Sequence, residues 1–199
     1  MQFHITSIEN AFRNLAEIIT TASVTTNASF PFVTVPMWEV YASQARLQSG
    51  AEIFAFTPIV EEAEMGLWAN YSNSHQGWLQ ESRNLQQNRK EVVVGSSYLN
   101  DSVAPWIYEH EPTALQKGEF VQIRPPGPGP YTPFWQVSPP PVNPAFIGYN
   151  FLAESFARSN FEVVMKVKGK KIQISARIHY GTLTEIYLSM QKRLSCLRF

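Results

Sequence analysis

Glu109, His110 and Glu111 are three consecutive side chains able to ligate a metal or move a proton. In a strand, neighbours point to opposite faces, so only Glu109 and Glu111 would share a side. A catalytic zinc needs three converging protein ligands, as an H-E-x-x-H helix begins to supply. No such motif occurs, and His4, His75 and His179 are scattered. The triplet therefore reads as an exposed acidic loop, and neither a metal nor another cofactor is expected. Cys196 has no neighbouring His or Asp to activate it, and G-x-S-x-G is absent. Gly127-Pro128-Gly129-Pro130 is no phosphate cradle, because its prolines remove the N–H donors a cradle requires. The chain is read as a non-enzyme.

Binding chemistry is better represented. Trp38, Tyr41, Phe54, Phe56, Tyr131 and Trp135 could line a pocket for a small ligand, although ordinary core is the default reading of any single one of them. Arg124-Pro125-Pro126 and Pro139-Pro140-Pro141 could serve as polyproline ligands for an SH3 or WW module. Lys166, Lys168, Lys170 and Lys171 straddle a turn and read as a solvated hairpin tip. Asn27, Asn70 and Asn100 each begin an N-x-[ST] glycosylation acceptor.

The elements that must position these residues follow from periodicity. Ile8, Ala11, Phe12, Leu15, Ile18, Ile19 and Ala22 recur at helical spacing opposite Glu9, Asn10, Arg13, Asn14 and Glu17, predicting a helix that ends near Thr25. Residues 30–35 predict a short strand near a sheet edge because of Pro31. Pro36 and Gly50 bracket a second helix. Residues 51–60 are β-rich and apolar on both faces, as a central strand would be. A further helical stretch, residues 61–87, opens on Glu61, Glu62 and Glu64 at the positive end of its dipole and breaks near Asn73-Ser74. Residues 91–95, 106–109 and 118–124 are short strand candidates. Nine of the fourteen prolines fall in residues 125–144. Tyr131, Phe134, Trp135 and Val137 interleave them, so this mostly extended segment should pack onto the sheet with Trp135 as anchor. Residues 145–157 form a helix or an extended connection, and residues 161–199 read as a hairpin followed by a helix. The fold class is α+β.

A length of 199 residues suits one domain, or one plus an appendage. A hydrophobic share of 44% is incompatible with whole-chain disorder. The formal net charge of +0 argues against a nucleic-acid binder, whose affinity comes from neutralising phosphates. That zero is composite. Residues 1–160 hold eight basic and fourteen acidic side chains, giving −6, whereas residues 161–199 hold eight basic and two acidic, giving +6. No stretch approaches the roughly 20 apolar residues of a membrane span, and no signal-peptide pattern opens the chain.

Three stretches taken together, residues 27–64, residues 68–83 with His75-Gln76-Gly77-Trp78, and residues 127–150 with the GPGPYTPFWQVSPPP run, resemble the extracellular sensor region of diatom receptor-type adenylate/guanylate cyclases. The resemblance spans roughly residues 8–151 and fades after about Asn150. It implies a PAS-like domain of Cache or CHASE type, divided as a stalk helix (residues 1–26), a sensor-like domain (27–160) and a basic tail (161–199) outside the family pattern. It also implies an extracellular location at a membrane reached through spans missing from this chain, and glycosylation at Asn27, Asn70 and Asn100. No cyclase residue can be carried over, and a truncated gene copy, or a gene model whose last exon is not the family's, is expected.

On this reading an unknown small molecule seats against the sheet near Trp38, Tyr41, Phe56 and Trp135 and biases the stalk helix. A homodimer through that helix is the expected assembly. The alternative is a soluble interaction protein using the Pro-rich segment or the basic hairpin.

Overall fold

The structure is a computed structural model describing residues 2–89, 104–141, 143–155, 157–158 and 174–178. Helix α1 (Gln2–Thr25) opens the chain. Of its periodic apolar residues Ile8, Ala11, Phe12, Leu15 and Ile19 are buried, as is Ala16, while Ile18 and Ala22 are half-buried, and Phe12 meets Phe54 edge-on at 5.1 Å. The stopping device is Asn27, in the left-handed region at φ 51. The Asn27 N–H donates to Val24 O at 3.2 Å and the Ala28 N–H to Ser23 O at 2.9 Å. These two bonds form a Schellman motif, with Asn27 in the place usually taken by glycine.

Helix α1 is thus part of the domain and not a separate stalk. The expected boundary at residue 26 is not a packing boundary, because the apolar face a stalk would offer to a second copy is spent on the protein's own core.

Helix α2 (Trp38–Ser49) follows Pro36 as expected and stops at Gly50, whose φ of 69 ends it cleanly. Strand β1 (Ala51–Phe56) comes next. Residues Glu62–Glu64 make a 3-10 turn begun by a capping box, in which the Glu61 N–H donates to Glu64 Oε2 at 3.1 Å. Helices α3 (Met65–Ser74) and α4 (Gly77–Arg89) are separated at His75-Gln76, next to the predicted break. The short strands β2 (Glu109–His110) and β3 (Gln122–Ile123) flank helix α5 (Pro112–Gln116), which periodicity did not reveal. Strands β4 (Gln136–Ser138) and β5 (Ile174–Ile178) complete the set.

The main sheet has the order β4-β1-β5, and both pairings are antiparallel. Strand β1 is therefore central, with Phe54 opposite Ser138 and Phe56 opposite both Gln136 and Ile174. Strand β5 comes from the basic tail, so the change of charge sign near residue 160 does not separate the tail from this sheet. Strands β2 and β3 form a second antiparallel pair. The fold is α+β.

Residues 30–35 are not a strand. The Gln136 side chain takes the place of a neighbouring strand by accepting from the Val35 N–H at 2.7 Å and donating to Val35 O at 2.9 Å. Trp135 Nε1–H donates to Val33 O at 3.0 Å. A side-chain amide carries the same donor and acceptor pair as a peptide group, so the backbone of Val35 is satisfied without a ladder.

The Pro-rich segment packs as expected. Pro133, Pro139, Pro140 and Pro141 are buried, and its central residues enter the main sheet as β4.

Candidate functional site

Three of the four residues expected to hold a ligand are core. Trp38, Phe56 and Trp135 are each 0% exposed. Trp135 makes T-shaped contacts with Trp68 at 5.4 Å and Trp78 at 5.9 Å, and its ring N–H is satisfied by Val33 O. Trp38 packs on Phe56 at 6.4 Å. These rings already have aromatic partners. The indole N–H of Trp38 is buried without a hydrogen-bond partner, a cost of about 1–3 kcal/mol.

Tyr41 behaves differently. It is 42% exposed and lines an open groove of about 610 Å³ between the second half of α1 and residues 35–41. Asn14, Glu17, Ile18, Thr21, Ala22 and Thr25 form the α1 wall. Their spacing is a stripe at i, i+3, i+4, i+7, i+8 and i+11, running beside the apolar face that α1 buries. Val35, Pro36, Met37 and Tyr41 form the facing wall.

Met37 sets the shape of that wall. It lies in the left-handed region (φ 55, ψ 30) immediately before α2, where a side chain costs about 1–2 kcal/mol. Its N–H donates to Glu81 Oε2 of α4 at 2.9 Å, and its carbonyl accepts from Val40 N–H at 3.0 Å. Pro36 fixes the preceding φ. The chain reverses there, leaving Met37 41% exposed at the rim beside Tyr41.

The groove offers an apolar floor from Ile18, Ala22, Val35 and Pro36, with hydroxyl and amide groups from Thr21, Thr25 and Asn14. Its one carboxylate is Glu17. This lining suits retention of an amphipathic small molecule, and the volume falls within the roughly 300–1,000 Å³ of small-molecule sites. Sequence reading found Tyr41 here and missed the α1 stripe. The signal was present as a second helical stripe next to the core stripe.

Glu109-His110-Glu111 does not converge on a metal, and no group of three potential ligands occurs among the described residues. Glu111 caps α5, its carboxylate accepting the Ala114 N–H, and this contact with that of Thr113 holds its carboxyl below the usual range. His110 lies in an aromatic nest, with Tyr149 at 5.1 Å, Phe120 at 5.4 Å and Tyr108 at 5.6 Å. Its Nδ1 is buried without a hydrogen-bond partner. Burial pulls the imidazole pKa down, partly offset by the charge of Glu154. The Tyr149 hydroxyl donates to Glu154 Oε1 at 2.7 Å, and burial with that carboxylate pushes its pKa upward.

Of the two runs read as candidate ligands for an SH3 or WW module, Pro139-Pro140-Pro141 is buried and not available to a partner, whereas in Arg124-Pro125-Pro126 only Pro125 is buried and Arg124 and Pro126 are exposed. Asn27 and Asn70 are exposed. Asn100, Cys196 and the lysines of the basic hairpin lie outside the described residues. Among the described residues no helix is long and apolar enough to cross a membrane. Comparison of the chain with family models, with curated proteins and with solved structures gives no match in any of the three.

Proposed function

We propose that this chain is a non-enzymatic ligand-binding module of the receptor-sensor kind implied by its resemblance to the diatom cyclase receptors, and that its ligand occupies the groove beside α1. A PAS-like architecture and an extracellular setting belong to the same proposal. The observation that carries it is the composition of the groove, one wall of which is α1; the resemblance, and not the groove, implies that a membrane span would precede this helix. A ligand there touches α1 and the start of α2 together. It would favour whichever packing of the two helices gives it more contact, and differential affinity is the only way a ligand can shift a conformational equilibrium. The ligand class that fits is a small amphipathic molecule with one apolar flank and hydroxyl or amide partners.

The test is titration of the protein with 1-anilinonaphthalene-8-sulfonate, a small amphipathic reporter. The expected result is a saturable one-to-one fluorescence gain, weakened about tenfold or more by Ala22→Trp, whose indole fills the groove. Circular dichroism of the variant serves as the folding control. Non-saturable binding, or equal binding by the variant and by Tyr41→Ala, would overturn the proposal.

A further inference from the structure

A second, smaller cavity of about 220 Å³ lies under the Pro-rich loop, away from the groove. The loop is arched over it by two features. The Tyr131 hydroxyl donates to Gly127 O at 2.7 Å. Gly129 sits where an added Cβ would lie 3.0 Å from Glu62 N and 3.2 Å from the Tyr131 ring, so a side chain would push the loop away.

Beneath the loop, Asn150 is buried and held at both ends of its amide. Its Oδ1 accepts the Thr132 N–H at 3.0 Å, and its Nδ2 donates to Glu109 Oε1 at 2.7 Å. Glu109 is thereby oriented, with its Oε2 left without a hydrogen-bond partner among the described residues. Arg158 lines the same cavity. Its Nε donates to Leu152 O at 3.2 Å, which leaves its terminal nitrogens without described partners.

A carboxylate and a guanidinium beside one small cavity would be expected to pair with each other. Glu109 and Arg158 do not, because Asn150 tethers one and the Leu152 carbonyl tethers the other. Two opposite charges held apart match a ligand that carries both signs. The rest of the lining agrees. Pro125, Pro126, Pro128 and Pro130 have no N–H, so at these positions the loop backbone presents acceptors only, which suits the donor end of a ligand. The volume equals that of roughly seven waters, below the roughly 300 Å³ where drug-sized pockets begin.

We propose that this cavity binds a small zwitterion, with its ammonium on Glu109 and its carboxylate on Arg158. The site is independent of the groove beside α1.

The experiment is calorimetric titration of the full chain with glycine, β-alanine and γ-aminobutyrate, a series of increasing charge separation, with acetate and methylammonium as single-charge controls. At least one zwitterion should bind saturably with Kd at or below about 1 mM while neither control does. Glu109→Gln retains the oxygen that Asn150 holds, and Arg158→Gln changes an exposed side chain; each should weaken binding about tenfold or more. Ala22→Trp should leave it unchanged, which separates this site from the groove. No saturable binding of any of the three zwitterions would overturn the assignment. So would equal binding of a control, or binding unaffected by both variants.

Discussion

The aromatic centre of the sheet and the groove beside α1 contain similar residue types put to different uses. Around Trp135, ring edges meet ring faces, the indole N–H has its carbonyl and nothing is left exposed. Beside α1, Met37 and Tyr41 remain nearly half exposed although Val35, two residues earlier, is buried. Aromatic content therefore does not locate a binding surface. The difference lies in whether a ring's neighbours come from within the fold. Trp38 and Phe56 have each other, while Tyr41 faces the uncovered edge stripe of a helix whose other stripe is fully used.

The largest test of this contrast is truncation of the two rings. Trp135→Ala should destabilise the protein by about 3–5 kcal/mol in urea unfolding, from lost burial and the cavity left behind. Tyr41→Ala should cost less than about 1 kcal/mol, as expected for a half-exposed site. Equal costs would erase the distinction between core and groove. Gln136→Leu comes next. It removes the two bonds that replace a strand at Val35 and leaves that buried backbone unpaired, so a loss of about 1–3 kcal/mol is expected from the same measurement.

The left-handed residues give a smaller effect of opposite signs. Met37→Gly relieves a strained side chain and should raise stability by up to about 1 kcal/mol, whereas Asn27→Ala should lower it by about the same amount. Thermal unfolding of both variants checks the pair. The mildest prediction concerns pH and lies outside both regions. The folded state holds the His110 pKa below its unfolded value, so the unfolded chain takes up a proton first as pH falls. Stability should decrease between about pH 7 and pH 5, and His110→Phe should flatten that part of the Tm–pH curve. An unchanged slope in the variant would show that His110 is not its source.

Much of the helical frame was legible because its signals are local. The core-facing stripe of α1, Pro36 before α2, Gly50 after it and the break after Ser74 each act within a few residues, and central β1 was visible from its two apolar faces. Residues 30–35 misled because their backbone partners are the side chains of residues about 100 positions away. Strands β2 and β3 have two residues each, and α5 has five, too short for any period to register. Of the candidate site only Tyr41 was anticipated. Trp38, Phe56 and Trp135 were chosen for ring size, which core and pocket share. Met37 gave no sign, since the partner of its N–H is Glu81 on a later helix.

The measurement that bears most directly on the groove is chemical-shift mapping of the labelled protein during titration with 1-anilinonaphthalene-8-sulfonate. Binding beside α1 predicts saturating shifts at Thr21, Ala22, Met37 and Tyr41, with the Trp135 indole signal unmoved. Shifts centred on Trp135 and Phe56, with the α1 stripe silent, would contradict it.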